Sequence, residues 1–231
     1  LGVDVRVGPE VLGVTSEGGR VTGVETSEGV ISAGTVVVEA GFRTSALLAP
    51  LGVDLPITPV RHAISVVERT PDFGDIHPVV SDRVARAYYR PERGTLALLG
   101  EHDPQKGPVD DEVEAAKAPQ LDEEISLMER FARRFPGQEL ASKMQGYTGV
   151  YDCSPDFQPA FGSVQAVDGL FVGAGFSGHG FKLSPGIGKI ISDLVVDGAT
   201  DMIDVHPFRV ERFAEDDLLL GSDGNVNRSM G

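Results

Sequence analysis

No stretch of this chain limits its architecture as tightly as Gly173 to Pro185, which reads Gly-Ala-Gly-Phe-Ser-Gly-His-Gly-Phe-Lys-Leu-Ser-Pro. It follows a short apolar run, Leu170 to Val172, and precedes Pro185 to Asp197, which carries helical periodicity. A strand therefore runs through a glycine-rich turn into a helix. The spacing predicts a helix with Ser184 at its N-cap and Pro185 at its first position. Its buried stripe would be Ile187, Ile190, Ile191, Leu194 and Val195. Glycines let backbone N–H groups approach a ligand closely, and a helix N-terminus favours negative charge. His179 and Lys182 place two groups able to carry positive charge where the helix dipole is already positive. That placement works against the helix unless an anionic or electron-rich ligand compensates it.

Gly173, Gly175 and Gly178 satisfy G-x-G-x-x-G literally, but the context of a dinucleotide fingerprint is missing. Such a unit needs a second parallel strand after the helix, with an acid near its end. Here Asp197-Gly-Ala-Thr-Asp-Met follows, which is no buried strand. The G-x-S-x-G elbow of hydrolases fails too, because His179 stands in place of its second glycine, so Ser177 is not expected to be a nucleophile. Cys153 has no CxxC partner, and no His, Asp or Glu cluster has metal-ligand spacing. The carboxylates of 110–124 read as a solvated face, and Arg61-His62 as a surface or hydrogen-bonding pair. Tyr88, Tyr89 and Arg90 either line a substrate face or pack.

The 35 acidic residues outnumber the 20 basic ones, and a net charge of −15 disfavours nucleic acid and anionic lipid as partners. A single cysteine rules out an internal disulfide framework and fits a reducing compartment, so a cytoplasmic location is expected. No apolar run approaches the roughly 18–20 residues that span a bilayer, and no signal peptide is visible.

Upstream, Val3, Val5 and Val7 share one face at period two and predict a strand. Val11 to Thr15 and Val21 to Thr26 predict a hairpin about a Glu17-Gly18-Gly19 turn. Val36 to Val38 predict a strand buried on both faces, ending at Glu39-Ala40-Gly41. A short helix over 44–49, a crossover over 50–59, and strands around Ile64 to Val67, Ala85 to Arg90 and Thr95 to Gly100 follow. A polar loop or lid is expected over 101–118. A helix with Leu121, Ile125, Met128, Phe131, Ala132 and Phe135 on one stripe is stopped by Pro136-Gly137. Residues 147–161 read as irregular, and an amphipathic segment around Phe208 and Phe213 precedes a Gly/Ser/Asn tail.

Gly173 to Pro185, preceded by Gly149-Val-Tyr-Asp-Cys-Ser-Pro-Asp-Phe-Gln-Pro-Ala-Phe-Gly162, resembles the C-terminal flavin-binding signature of the D-amino-acid oxidase/sarcosine oxidase family. Glycine oxidase and dimethylglycine dehydrogenase are relatives. Gly23 to Gly41, followed by Pro56 to His62, is similar to the family's middle region, where a strand ending in Ala-Gly passes the FAD.

The resemblance implies an α+β or α/β fold with a mixed-sheet substrate domain and the C-terminal part of an FAD-binding, Rossmann-like domain. It divides the chain into 1–55 and 149–215 for the FAD-binding part, 56–148 for the substrate domain and 216–231 for a flexible tail. It implies cofactor contacts at Val11, Ala40, Gly41, Gly149 and Gly175, Phe176, Ser177, Gly178, His179, Gly180, Phe181 and Lys182. Lys182 and His179 would be the catalytic residues, facing the substrate carboxylate, with Tyr88 and Tyr151 lining the substrate. Covalently flavinylated members carry a cysteine where Gly149 stands, so the implied FAD is non-covalent.

The family's N-terminal strand–GxGxxG–helix does not occur here, and the sequence looks like the C-terminal part of such an enzyme; FAD binding by this chain alone is accordingly not assumed. The implied activity is oxidation of the C–N bond of a small carboxylate-bearing amine such as sarcosine, glycine or a D-amino acid. Two alternatives stay open: a non-catalytic module of this fold needing a partner or the missing segment, and an FAD-dependent 2-hydroxy-acid oxidase. Homo- or hetero-oligomers are compatible with either.

Overall fold

A computed structural model describes residues 2–74, 77–102, 107–109 and 117–226. Most of the loop expected over 101–118, the carboxylates of 110–116 and the tail beyond residue 226 lie outside the described residues. Strands β1 (Val11–Glu17), β2 (Arg20–Thr26), β3 (Gly29–Ser32) and β4 (Val36–Val38) precede a short helix α1 (Thr44–Leu48). Strands β5 (Thr58–Glu68), β6 (Val80–Asp82), β7 (Ala87–Pro91) and β8 (Leu96–Glu101) lead to helix α2 (Leu121–Arg134). Strands β9 (Ser142–Cys153), β10 (Ala160–Ser163) and β11 (Leu170–Ala174) lead into helix α3 (Gly180–Val196). The chain forms two compact units, one made of the residues up to Thr58 and from Asp152 onward, the other of Pro59–Tyr151.

The first unit holds two small sheets. One is the antiparallel ribbon β1-β2-β3; the other has the order β10-β11-β4, antiparallel between β10 and β11 and parallel between β11 and β4. Leu170, Val172 and Ala174 of β11 are fully buried, and with Val36, Val38 and Leu48 they form the centre of this unit's core. Ile187, Ile190 and Ile191 of α3 pack with Phe161 of β10 in a second cluster.

Several expectations for this unit need correction. Val3, Val5 and Val7 form no strand and are 78%, 77% and 92% exposed, because among the described residues no strand pairs with them. Val37 is 42% exposed between buried Val36 and Val38, so only one face of edge strand β4 is covered. Helix α3 begins at Gly180, five residues before Pro185, with His179 rather than Ser184 as its N-cap. Proline inside a helix deprives the carbonyl four residues earlier of its donor. Here that carbonyl, Phe181, accepts the Ser184 hydroxyl at 2.9 Å instead. Val195 is 37% exposed, and Leu194 packs only partly against the cluster.

The second unit is a five-stranded sheet of order β6-β7-β8-β5-β9, antiparallel at β6–β7, β7–β8 and β8–β5. Ala87, Tyr89, Ala97, Leu99, Ala63 and Val67 face α2, which buries Leu127 and Phe131 against them. The expected helix stripe is rotated: Leu121 and Ile125 are 67% and 47% exposed, while Glu124 is buried. Glu124 tolerates burial because Lys143 Nζ lies 2.8 Å away and Gly146 leaves room for its carboxylate. Glu124 is thus no part of a solvated face. Gln120 and Glu123 cap the helix reciprocally, and Arg61 pairs with Glu123 at 2.9 Å. Residues 147–153 are strand rather than irregular, since β9 runs to Cys153; β10 then begins at Ala160, beyond Pro155 and Pro159.

Candidate functional site

Strand β11 ends at Ala174 and hands over to a turn of left-handed backbone: Gly175 (φ 73°), Ser177 (φ 51°) and Gly178 (φ 88°). Glycine is required at 175, where an added Cβ would lie 2.9 Å from Ile57 Cδ1 and 3.0 Å from Ser154 Cβ. Ser177 pays the cost of a non-glycine left-handed residue, about 1–3 kcal/mol, through its hydrogen bonds. Its N–H donates to the Asp152 carbonyl at 3.1 Å, its hydroxyl donates to Gly175 O at 3.2 Å and accepts from Ser154 N at 3.3 Å. The hydroxyl is fully buried and committed to the turn.

Asp152, at the end of β9, anchors the same turn by accepting the Gly175 N–H at 2.8 Å on Oδ2. Burial raises its carboxyl above the usual carboxylate range, and the N–H groups of Phe176, Asp152, Gly175 and Ser177 only partly offset this. Neighbouring Cys153 is buried, and burial pushes its thiol up to about 12, so it is inert.

His179 caps α3 half-buried. Its backbone N–H donates to the Phe176 carbonyl at 2.8 Å, and Nδ1 lies 3.1 Å from the same oxygen. A carbonyl only accepts, so Nδ1 carries the proton and Nε2 holds the lone pair. Burial lowers the imidazole's proton affinity and Lys182 lowers it further, against the opposing pull of the Phe176 carbonyl. His179 is therefore neutral at physiological pH. Lys182 is exposed in the first turn of α3, which contains no acidic residue, and it makes no ion pair among the described residues.

These elements wall a cavity of about 250 Å³ lined by Glu39, Gly41, Asp152, Gly173, Phe176, Gly180 and Phe181 among others. Gly41 has φ 55°, and an added Cβ would meet nothing within 4 Å, so its backbone borders open space. Glu39 lies across Gly173, where a Cβ would come 2.6 Å from its Oε1. Whole small-molecule sites run to about 300–1,000 Å³, so this cavity has room for one portion of a large cofactor. Its donor set is mixed. The free N–H groups of the α3 N-terminus suit an electron-rich edge, while the two carboxylates suit hydroxyl donors and repel phosphate. The residues present thus fit the ring and polyol portion of a flavin better than its pyrophosphate.

The cavity brings together Gly41, Phe176, Gly180 and Phe181 of the expected contacts; Gly175, Ser177, Gly178, His179 and Lys182 form the adjoining turn and helix start. Ala40 adjoins Gly41 and donates its N–H to Thr44 Oγ1 at 3.1 Å. Val11 opens β1, 45% exposed and outside the cavity. Gly149, Tyr88 and Tyr151 belong to the second unit. Sequence reasoning gave no role to Glu39 or Asp152. Their signal was adjacency: each carboxylate sits within two residues of a glycine or tyrosine already singled out.

Four residues after Asp152, Asp156 is held differently. Arg212 Nε and Nη2 donate to it at 2.9 and 3.0 Å, and both side chains are fully buried. Leu219 N and Gln158 N also donate to it at 3.1 Å each, and Arg212 lies 4.0 Å over the Phe213 ring. Burial opposes its ionisation, but Arg212 and these N–H groups outweigh it and hold the carboxyl below the usual range.

No described helix is long and apolar enough to cross a membrane. Residues 1–194 match the family model described as FAD dependent oxidoreductase, DAO. Glycine oxidase of Pseudomonas putida is 30% identical over 209 residues, 90% of this chain and 54% of that protein. A D-amino acid dehydrogenase of Cereibacter sphaeroides is 32% identical over 214 residues, 92% of this chain and 47% of that protein. Among solved structures, L-proline dehydrogenase from P. horikoshii superposes with a TM-score of 0.82 at 25% identity, covering 91% of this chain and 55% of the other. Glycine oxidase from Geobacillus kaustophilus gives a TM-score of 0.75 at 26% identity, covering 88% and 52%. The chain thus spans about half the length of the relatives it matches. The mixed sheets, the glycine turn entering α3 and the match over 1–194 place the chain in the DAO family of FAD-dependent oxidoreductases.

Proposed function

We propose that the chain is the substrate domain and the C-terminal part of the FAD-binding domain of an enzyme that oxidises the C–N bond of a small amino or N-methyl amino acid. The observation that carries this is the 175–179 turn feeding the α3 N-terminus at the wall of the cavity. The glycine oxidase and D-amino acid dehydrogenase relatives support the substrate class. The first unit is read as the FAD-binding part and the second as the substrate domain, with the chain crossing between them near residues 58 and 151.

When bound, non-covalent FAD supplies the two-electron acceptor that C–N oxidation needs. The N–H groups of Gly180, Phe181 and Lys182 would stabilise its electron-rich ring edge, and Glu39 and Asp152 would accept from its ribityl hydroxyls. Lys182 holds the substrate carboxylate by charge. His179, neutral, offers Nε2 as an acceptor for the substrate amine, a role distinct from carboxylate binding. A single buried cysteine fits a cytoplasmic location, and the acidic surface argues against nucleic acid.

Incubation with FAD followed by desalting tests the reading, and retained visible absorbance supports it. In the flavin-loaded protein, Lys182→Ala is expected to raise KM for amino-acid substrates about tenfold or more, as loss of a charged hydrogen bond does. Unchanged KM removes Lys182 from the site. Because the chain spans about half of its relatives, a second reading stands beside the first: a module that needs a partner segment to hold FAD. A protein that stays colourless favours it, and bleaching by hydroxy acids but not glycine points to a hydroxy-acid oxidase.

A further inference from the structure

The end of β9 and the turn after β11 are registered against each other residue by residue. The Gly175 N–H donates to Asp152 Oδ2 at 2.8 Å, Cys153 forms an isolated antiparallel bridge with Phe176, and the Ser177 N–H donates to the Asp152 carbonyl at 3.1 Å. Glycine leaves the backbone free to move, so a turn containing Gly175 and Gly178 takes its exact shape from bonds of this kind. The Ser177 hydroxyl adds two longer ones, at 3.2 and 3.3 Å. The bond to the Asp152 carboxylate is shorter than any of these. A hydrogen bond to an ionised acceptor is also roughly twice as strong as one between neutral groups.

What this bond holds in place is the Phe176 carbonyl, one residue on. That oxygen accepts the His179 backbone N–H at 2.8 Å and lies 3.1 Å from Nδ1 of the ring. A neutral imidazole has one N–H, and the partner of one nitrogen decides the state of the other. The Phe176 carbonyl thereby keeps the proton on Nδ1 and leaves Nε2 an acceptor. At 3.1 Å the ring bond is near the long end of the N–H···O range, about 2.7–3.2 Å. A few tenths of an ångström at Phe176 would break it. The ring would then be free to carry its proton on Nε2, as a donor.

We propose that Asp152 is a positioning residue: by fixing Gly175 it places the Phe176 carbonyl, and through that carbonyl it selects the Nδ1–H form of His179, so that Nε2 remains an acceptor. This role rests on the proposed use of Nε2 as acceptor for the substrate amine, and it names the residue that keeps Nε2 in that state. Neither the sequence motifs nor the family match assigns it to Asp152.

Nitrogen NMR of the imidazoles in the full chain, above the pH at which His179 titrates, reads the tautomer and needs neither flavin nor substrate. His179→Gln identifies the signals. The wild type is expected to show the Nδ1–H form alone. Asp152→Ala should give a mixture of both forms, and the Gly175 amide should exchange with solvent about tenfold faster or more, the scale of a hydrogen bond to a charged group. Asp152→Asn, which offers an amide oxygen in the same place, should restore the single form. A merely structural role would lower the unfolding midpoint and leave the tautomer alone. Should Asp152→Ala not fold, Asp152→Glu, which moves the carboxylate by one methylene, carries the same expectation. The positioning role is overturned if the displaced or deleted carboxylate leaves the Nδ1–H form intact. It is equally overturned if Asp152→Asn is as mixed as Asp152→Ala, because charge rather than the hydrogen bond would then act. In flavin-loaded protein Asp152→Ala should raise KM for an amino-acid substrate about tenfold. A mixed tautomer with unchanged KM keeps the positioning role and removes Nε2 from amine recognition, so the two readings fail separately.

Discussion

Asp152 and Asp156 lie four residues apart in one segment, and the protein treats them in opposite ways. Asp156 is fully buried and carries a two-point arginine bond, two backbone N–H groups and the Ser154 hydroxyl, so its carboxyl is held below the usual range. Asp152 has backbone N–H groups only, lines the cavity, and is raised by burial. A carboxylate meant for scaffolding is saturated by its own chain. One left partly satisfied at a cavity wall retains capacity for a ligand, and perturbation of that kind marks functional sites. The difference separates the frame of the site from its working surface.

The largest effect that would break this contrast is expected at Arg212. Arg212→Met strands a buried carboxylate, which costs about 3–5 kcal/mol, or a fall in Tm on the order of 10 °C for a chain of this size. Thermal unfolding measures it. The pH dependence carries the sign. Asp156 is depressed below its unfolded value of 3.8, so its stabilisation is present above that value and lost as pH falls through the folded one. The gap between wild type and variant should therefore narrow in acid below about pH 4. A gap that stays constant would mean the ion pair is not what Arg212 contributes.

That pair also shows where the sequence stops being legible. The turn, the strand before it and the apolar face of α3 follow from local periodicity and glycine spacing around 170–191. Asp156 and Arg212 are separated by 56 positions, and nothing local in either marks it as half of a buried pair. Glu124 was hidden for the same reason, because its partner Lys143 lies on β9. The start of α3 was misplaced because Pro185 reads as a first-turn residue, and the Ser184–Phe181 bond that admits it mid-helix is a side-chain detail. The place of His179 at the turn entering α3 was legible, but not its lowered proton affinity, which burial decides. Val3, Val5 and Val7 kept a strand's pattern without a described partner strand, which period two cannot reveal.

A smaller effect of opposite sign is expected at Asp152. Asp152→Asn keeps an oxygen to accept the Gly175 N–H and removes a charge that burial disfavours. Because the folded carboxyl is raised above 3.8, the native state binds the proton first, and ionisation above the folded value costs stability. The variant should thus be more stable than wild type at neutral pH, within the roughly 0.5–2 kcal/mol of single stabilising changes. The advantage should vanish as pH falls and the wild-type carboxyl takes up its proton. Denaturant midpoints at two pH values check this, and a destabilised variant at pH 7 would erase the distinction between the two aspartates.

The smallest effect is expected at His179, where the same logic runs through a base. Its folded proton affinity is lowered, chiefly by burial and further by Lys182, so the unfolded chain takes up the proton first as pH falls through about 6.5. Native stability should decline from there towards the folded value, by a fraction that His179→Gln removes. Lys182→Ala takes away only the lesser of the two causes, so the imidazole titration, followed by NMR among the chain's five histidines, should move upward without regaining the unfolded value. If it returns fully, the ring is solvated in the native state and Lys182 alone governs it. If it does not move at all, Lys182 points away from the ring, and a shared hold on one substrate by Lys182 and the neutral Nε2 would no longer follow from the geometry.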